Sequence, residues 1–536
     1  MHGFQFVSKK KLSLSIGLLC CFSQSVYALE PTAVASDINN AETNNMSAPQ
    51  HEVRVIYLPE RERQRIKEEI KQEMKQEMLA TAKQESWIKP VEIPDWLDRI
   101  SFEGDLRVRY QGDYYDDKNN PIQINYQDIN SGAPYDVTGN SGLPPIVNTT
   151  ENRQRMRIRA RLGMNAVLAD NLSAHMRLAT GGLTSAGSSN QTLGSDFNKV
   201  NFSLDRAFFD YKPIEGANIL LGRMASPWFS TDLVWDDDIN FDGMAAKYKF
   251  ELNDVLTPFV TVGAFSVENT AVDLPTYSVD KASSRDKWLF AAQVGTDWKI
   301  RDDINFRGAI AYYDFKDIQG ESSSACQAYT TNIPCDTDSS RPGYLQQGNT
   351  LFTLRNLSLP SAPEGPQYQY FGLASPFQEL NATAKLDFSF DNNNQLIITA
   401  DYVKNLGFRQ NKMNSYLNAG RLATNVMTDS AGKPIKYDGG DTGYLFHVQY
   451  GVDKPALFGQ WNIGAGYRYV ESDAVLDAFT DSDFHVGGTN AKGFFVGGNV
   501  GITKNASLGL RYLSANEISG APYSVDTIQL DLNGRF

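Results

Sequence analysis

The chain has 536 residues, of which 41% are hydrophobic, 11% aromatic and 21% charged, and its formal net charge at pH 7 is −13. The longest apolar run, residues 12–22, is about half of the ~20 residues that a transmembrane helix needs, which excludes a helical membrane protein. The aromatic content excludes a fully disordered chain, and five His and four Cys leave little material for a metal cluster or a multistep enzyme.

Residues 1–28 have the pattern of a secretory signal peptide. Three lysines precede a short apolar run, and a small residue, Ala28, offers a cleavage site after it. Cleavage there removes two of the four cysteines and leaves Cys326 and Cys335. In an exported protein a close pair of this kind predicts one disulfide.

Two segments and a linker follow the signal peptide. Residues 29–58 are mostly small and polar without periodicity, which predicts a flexible leader. Residues 59–89 open with Pro59, a good first helical residue, and predict an α-helix with alternating charges. The narrow apolar stripe of this helix favours a coiled-coil stalk, with a solvated single helix as the alternative. The stripe consists of Ile66, Ile70, Met74 and Met78, and residues 90–100 form the linker.

From residue 101 to residue 536 the dominant hydrophobic period is two, which predicts β-strands. In residues 101–110, for example, Phe102, Leu106, Val108 and Tyr110 share one face and charged residues take the other. Sixteen segments have this pattern: 101–110, 152–168, 172–182, 203–212, 217–226, 241–250, 255–267, 287–300, 304–316, 378–390, 395–404, 442–453, 459–470, 491–503, 505–514 and 524–536.

The connections between these segments alternate between short and long. The long ones begin near residues 111, 183, 226, 268, 317, 405, 471 and 515. A soluble β-sandwich has no reason to place every long loop at one end, whereas a bacterial outer-membrane barrel does. The sequence therefore predicts an all-β fold, a 16-stranded antiparallel transmembrane β-barrel over residues 101–536, with an aqueous lumen.

Strand parity assigns a set of arginines to the lumen. The second segment carries five of them on one face, and each would cost ~2–4 kcal/mol near the midplane of the lipid face. We interpret them as a pore-lining ladder; pairing with neighbouring wall acids and a nucleic-acid-binding face are the alternatives, and export argues against the latter. The predicted pore-lining residues are Arg107, Arg109, Arg153, Arg155, Arg157, Arg159, Arg161, Arg177 and Arg206.

The third long loop, residues 226–240, is the candidate constriction. Its apolar residues would let it pack inside the barrel, and acids facing the arginine wall would produce a transverse field that filters polar solutes. The alternative is an external loop that binds a divalent cation, although the spacing matches no EF-hand loop. The acids of this predicted constriction loop are Asp232, Asp236, Asp237 and Asp238.

Five segments together resemble the putative-porin family of Gram-negative bacteria: residues 93–110, 153–161, 221–228, 236–243 and 481–489. The resemblance covers about residues 90–536. It implies a channel in the outer membrane, in contact with its lipid and lipopolysaccharide. The helical segment is similar to the N-terminal coiled coils of some trimeric porins, which implies a homotrimer with a periplasmic N-terminal stalk and peptidoglycan as a candidate partner of that stalk.

The sequence thus predicts an outer-membrane porin for passive diffusion of small hydrophilic solutes, with a weak preference for anions. A substrate-selective anion channel on the same barrel and a structural tether between the outer membrane and the cell wall are the alternatives. The sequence contains neither G-x-S-x-G nor H-E-x-x-H, so we expect no enzyme activity, no cofactor, no metal and no nucleic-acid partner.

Overall fold

A computed structural model describes residues 99–132, 135–136, 142–182, 184–270, 279, 281, 285–327, 335–357, 367–390, 393–429, 431 and 433–536. Sixteen antiparallel strands form a closed barrel, which confirms the predicted fold class. They are β1 (Ile100–Tyr115), β2 (Arg153–Ala169), β3 (Leu172–Thr180), β4 (Phe202–Tyr211), β5 (Ala217–Ala225), β6 (Asn240–Lys249), β7 (Leu256–Glu268), β8 (Lys287–Arg301), β9 (Ile304–Lys316), β10 (Gln378–Ser389), β11 (Gln395–Asn405), β12 (Thr442–Gly451), β13 (Trp461–Val470), β14 (Ala491–Thr503), β15 (Ala506–Glu517) and β16 (Ser524–Arg535).

The barrel closes between its first and last strands. One edge of β1 pairs with β2, where Leu106 lies opposite Ala160, and the other edge pairs with β16, where Leu106 lies opposite Gly534. Closure gives every edge a partner, which a sheet needs in lipid because no water is present to satisfy free backbone groups.

The two faces of the wall differ as the alternating pattern predicts. On β8, the side chain of Val294 is 59% exposed on the outer surface, whereas that of its neighbour Gln293 is 1% exposed inside the barrel. Successive side chains of a strand point to opposite faces, so the even positions of this strand face lipid and the odd positions face the lumen.

Short turns join the strands at one end and longer loops join them at the other. The loops are L1 (116–152), L2 (181–201), L3 (226–239), L4 (269–286), L5 (317–377), L6 (406–441), L7 (471–490) and L8 (518–523). L8 corrects the expectation of a long last loop, because β15 continues to Glu517 and leaves only a tight connection to Ser524.

Several loops have secondary structure of their own. L1 contains α1 (Tyr126–Ser131) and L6 contains α2 (Gln410–Asn418); Asp338–Ser340 and Phe484–Val486 are 3₁₀ turns. The helices in the described part of the chain are too short or too polar to cross a membrane. Short strands in the loops are Tyr135–Asp136, Gln191–Thr192, Ala325–Cys326, Leu351–Thr353, Asn356–Leu357, Tyr368–Gln369, Phe371–Leu373, Val426–Thr428 and Pro434–Tyr437.

L5, the longest loop, contains the predicted cysteine pair. Cys326 and Cys335 are joined by a disulfide with an S–S distance of 2.10 Å. Both cysteines are buried.

The hydrophobic core lies inside the barrel, toward the end that bears the loops. Inward-facing side chains of the wall, such as Phe265, Tyr313 and Leu445, pack there against Leu233 of L3 and Val475 of L7. This core explains how a barrel with a polar lumen also buries large apolar side chains: the loops bring their own apolar residues into it.

The predicted signal peptide (1–28), flexible leader (29–58) and helical stalk (59–89) lie outside the described residues, as does the linker up to residue 98. These assignments stay predictions.

Candidate pore constriction

L3 is fixed to the wall at its first residues. The side chain of Gln293 on β8 donates to the carbonyl of Phe229 at 2.8 Å and accepts from its N–H at 2.9 Å. Two residues later, the hydroxyl of Thr231 donates to the carboxylate of Asp401 on β11 at 2.6 Å, and its N–H donates to the same oxygen at 3.1 Å. These bonds hold L3 across the lumen between two wall strands.

The apolar residues of L3 then pack inward. Leu233 is fully buried and Trp235 is 4% exposed. The ring of Trp235 lies 4.8 Å from that of Phe241, 5.3 Å from that of Tyr313 and 5.9 Å from that of Phe479. Aromatic packing of this kind contributes beyond area burial alone. The structure thus places residues 226–239 inside the barrel.

The four predicted acids of L3 have different surroundings. Asp238 lies 3.2 Å from Arg161 and 4.0 Å from Arg159, and accepts from the N–H of Ser189 at 2.9 Å. Burial alone would raise the pKa of the Asp238 carboxyl, but the guanidinium of Arg159 and the Ser189 hydrogen bonds lower it below its usual value. Asp238 therefore joins L3 to the arginine wall.

Asp236 instead faces L7. Its carboxylate accepts from the N–H of Ser482 at 2.9 Å, and burial together with the nearby Asp481 raises its pKa well above the usual value. Asp232 lies 3.8 Å from Arg468. Asp237 is exposed toward the lumen.

A second loop enters the lumen, which the sequence analysis did not predict. L7 contacts L3 through two hydrogen bonds. The hydroxyl of Thr480 donates to the backbone carbonyl of Leu233 at 2.8 Å, and the N–H of Asp481 donates to the backbone carbonyl of Asp232 at 3.1 Å. Arg468 on β13 holds this junction through an ion pair with Asp481 at 3.2 Å. The available signal was the run of residues 473–483, in which four aspartates stand among apolar residues, as the acids of L3 do.

The tip of L7 is held against β1, β15 and β16. Asp483 accepts from Arg109 at 2.8 Å. Burial opposes ionisation of Asp483, but Arg109 and Arg511 lower its pKa below the usual value. His485, 4% exposed, hydrogen-bonds through Nε2 to the carbonyl of Tyr523 at 2.9 Å, and burial lowers its pKa to about 4 against the effect of that bond.

Much of the predicted arginine ladder is paired. Arg155 lies 2.6 Å from Asp113, and Arg159 and Arg161 lie 3.0 Å and 2.6 Å from Asp105. On β1, Arg109 lies 2.7 Å from Asp531. Acids on neighbouring strands lie beside these residues, so the alternative of pairing with wall acids holds for them. Their role in lining the pore stays a prediction. The predicted first strand ended at residue 110 and so left Asp113 out.

Three lumenal arginines have amide partners in place of carboxylates. Arg107 donates to Asn190 at 2.5 Å, Arg157 to Gln111 at 3.0 Å and Arg206 to Asn240 at 2.7 Å. Among the described residues, none of the three forms an ion pair. An amide satisfies a guanidinium N–H without cancelling its charge, so these arginines keep the lumen locally positive.

The two remaining predicted arginines differ from these. Arg153 is exposed at the end of β2 nearest the loops. Arg177 pairs with Asp205, which a register shift between β3 and β4 brings to the lumenal side beside Arg206. Strand parity cannot predict this pairing, because a bulge places two consecutive residues on one side.

Two cavities flank the L3–L7 junction. The first, which we call the outer cavity, has a volume of about 470 Å³ and lies between L1, L5, L6, L7 and L8. The second, which we call the inner cavity, has a volume of about 610 Å³ and lies under L3. Lys385, His447 and Arg511 help to line the inner cavity. The two cavities share no lining residue. In the described ranges, no group of three or more His, Cys, Asp or Glu side chains is placed to hold a metal ion.

Comparison with solved structures finds outer-membrane channels. The channel DcaP of Acinetobacter baumannii is 12% identical, with 82% of this chain and 97% of that chain covered and a TM-score of 0.38. OprB of Pseudomonas putida is 12% identical, with 82% and 96% covered and a TM-score of 0.43. OmpF of Salmonella typhi is 10% identical, with 82% and 97% covered and a TM-score of 0.38.

No curated protein matches the chain. The family described as "Putative porin" matches residues 23–536, which include the whole barrel. The chain belongs to this porin family.

Proposed function

We propose that the protein is an outer-membrane porin, a water-filled channel through which small hydrophilic solutes diffuse passively with a weak preference for anions. Its family and its closed barrel with an apolar outer face support the channel. The observation that carries the anion preference is the set of three lumenal arginines, Arg107, Arg157 and Arg206, that have amide partners and form no ion pair within the described residues.

Local charge decides which ions enter a narrow aqueous lumen, so the net charge of −13 does not predict selectivity. Most other lumenal arginines lie beside acids that compensate them. The remaining excess of positive charge is small, and we therefore expect a weak preference.

A recording from the purified full-length protein in a planar bilayer tests this function. We expect an ohmic current and, under a salt gradient, a reversal potential of the sign that anion preference gives. An inserted barrel without conductance would contradict the channel and favour the structural tether. Competition of the current by one solute class would favour the substrate-selective anion channel, which the crowding of the lumen by L3 and L7 makes the second candidate.

We also propose a homotrimer in which residues 59–89 form a periplasmic three-stranded coil near the peptidoglycan. The charge pattern and narrow apolar stripe of this segment support the coil. Deletion of residues 59–89 should weaken the trimer in mild detergent without preventing barrel insertion. A monomer for the intact protein would contradict the proposal.

A further inference from the structure

The outer cavity is unlike the rest of the lumen in its charge. Amide side chains from L1, L5, L6 and L7 line it, and no Lys or Arg does so within the described residues. Its carboxylate and imidazole lining residues are Asp477, His485 and Glu517, of which Asp477 and His485 are buried. A solute that enters this cavity therefore meets neutral amides and one partly exposed carboxylate.

Several polar atoms of the lining have no hydrogen-bond partner among the described residues. Two of them, Asp477 Oδ1 and His485 Nδ1, are buried, and three others belong to the partly exposed side chains of Gln123, Glu517 and Asn120. Gln123 donates through Nε2 to Gln347 at 2.9 Å, and its Oε1 has no partner. Glu517 accepts a hydrogen bond from the N–H of Tyr523 through Oε2 at 2.8 Å, and its Oε1 has no partner among the described residues. Asn120 accepts a hydrogen bond from the N–H of Ile122 through Oδ1 at 3.1 Å, and its donor atom Nδ2 has no partner among the described residues.

Asn120 and Glu517 belong to one part of the cavity, and Gln123 follows Asn120 by three residues in L1. The N–H of Asn120 donates to the carbonyl of Pro522 at 2.9 Å, and Pro522 directly precedes Tyr523, the residue whose N–H Glu517 accepts. The side-chain bonds to Gln347, Tyr523 and Ile122 hold the three groups in place before a ligand arrives, which reduces the entropy that binding loses.

Other residues of the lining are apolar or aromatic. Ile124, Leu345 and Leu422 contribute alkyl surface, and Tyr126 and Tyr523 contribute rings. A volume of about 470 Å³ lies within the range of small-molecule sites, which combine apolar surface with a few fixed polar groups. Saccharides have the matching character, with hydroxyls at the edge of the ring and C–H groups on its faces.

We infer that the outer cavity is a binding site for a neutral, hydroxyl-rich solute of the size of a small saccharide. This inference deepens the proposed porin function and rests on it. Each hydroxyl donates one hydrogen bond and can accept two, so the several hydroxyls of a saccharide can together satisfy two acceptors and one donor. An ammonium has no acceptor for the Asn120 amide, and a carboxylate meets Glu517 without a neighbouring cation.

Calorimetric titration of the detergent-solubilised full-length protein with sucrose tests the site, with gluconate and glucosamine as the charged probes. We expect sucrose to bind more tightly than either. Gln123→Leu and Glu517→Gln should each weaken sucrose binding roughly two- to tenfold, the usual worth of one hydrogen bond. The matched control is Gln449→Leu, which alters the inner cavity and should leave sucrose binding unchanged.

The outcomes separate the site from the channel. If both outer-cavity variants weaken sucrose binding but the protein shows no conductance in bilayers, the proposed porin function is wrong and the binding site stands. Conductance without sucrose binding, or equal weakening by Gln449→Leu, would overturn the site and keep the porin. Tighter binding of glucosamine or gluconate would overturn the neutral class of ligand. Retained heat-modifiable migration on gels verifies that each variant barrel is folded.

Discussion

The carboxylate of Asp236 in L3 accepts a hydrogen bond from the backbone N–H of Ser482 in L7 at 2.9 Å, although 246 residues separate them in the chain. The bond joins two loops that enter the lumen from opposite parts of the wall. The candidate constriction therefore depends on both loops.

Gly187→Cys combined with Ser482→Cys should lock L7 to L2. A Cβ on Gly187 would lie 3.6 Å from the Cβ of Ser482, within the range of disulfides. Because L7 is hydrogen-bonded to L3 inside the barrel through Thr480 and Ser482, we expect passage to need a shift of L7. Oxidation should therefore lower the bilayer conductance several-fold and reductant should restore it.

The single variant Ser482→Cys is the control for this cross-link, and its conductance should not respond to oxidant. Equal conductance of the cross-linked and reduced double variant would show that solutes pass with L7 in place.

Replacing Arg107, Arg157 and Arg206 together by Gln should shift the reversal potential toward cations. Glutamine keeps a hydrogen-bond donor for the amide partners and removes the charge. The shift should shrink at high salt, because the screening length falls from ~10 Å at 0.1 M to ~3 Å at 1 M. The matched control is Arg301→Gln, where the arginine is exposed and pairs with Asp303 at 2.5 Å. A shift of the same size in the control would contradict a role for the three lumenal arginines.

Trp235→Ala should widen the channel. Truncation of a buried aromatic costs about 3–5 kcal/mol of packing free energy, and the rings around Trp235 are what hold the middle of L3 inside the barrel. We expect a higher single-channel conductance and passage of larger polyethylene glycols. Trp298→Ala removes a 44% exposed ring on the lipid face and should change neither quantity. An unchanged exclusion size for Trp235→Ala would mean that the wall bonds of Phe229 and Thr231 suffice to hold L3.

Acidification should weaken the seating of L7 through His485. Its pKa is about 4 with the loop in place and 6.5 as an unperturbed side chain, so the displaced loop binds the proton more strongly. The contribution of His485 to the free energy that holds L7 in place is complete above pH 6.5. It falls by at most ~1.4 kcal/mol per pH unit as the pH is lowered to about 4.

His485→Gln isolates this contribution, since glutamine can still donate to the Tyr523 carbonyl. Hydrogen exchange of L7 amides, corrected for intrinsic rates, should lose protection more steeply between pH 6.5 and pH 5 in the natural protein than in the variant. Parallel pH profiles would refute a role for His485. The natural protein and the variant must be compared because Asp477 has the opposite pH dependence. Burial raises the pKa of Asp477 to about 7, so ionising this buried carboxyl destabilises the seated loop as the pH rises from about 4 to 7.

The sequence predicts the wall of this protein well because one physical constraint acts on every strand. Lipid outside and water inside impose an alternation that each segment displays on its own, as residues 287–300 do. The alternation fixes the ends of strands less sharply, and β1 and β15 extend past the predicted bounds to Tyr115 and Glu517. Because the predicted first strand ends at residue 110, the sequence does not predict that Asp113 lies on β1 beside Arg155.

The site is predictable only in part. L3 has enough tryptophan and leucine to indicate burial, and its acids indicate a basic partner. L7 also combines acids with apolar residues but has no tryptophan. Its contacts with Leu233 and Asp232 join distant parts of the chain, and no local pattern encodes them. The bulge at Asp205 likewise depends on the register of two paired strands.

The pairing of β1 with β16 has a consequence for how the protein is made. The strand translated first among the sixteen finds one of its two neighbours only when the strand translated last is available. Backbone groups on that edge cannot enter lipid alone, so the barrel cannot be threaded into the bilayer strand by strand in order of synthesis. The polypeptide must reach the membrane still open and be protected from self-association through its edges. A nonsense mutation that removes β16 would therefore abolish the whole barrel.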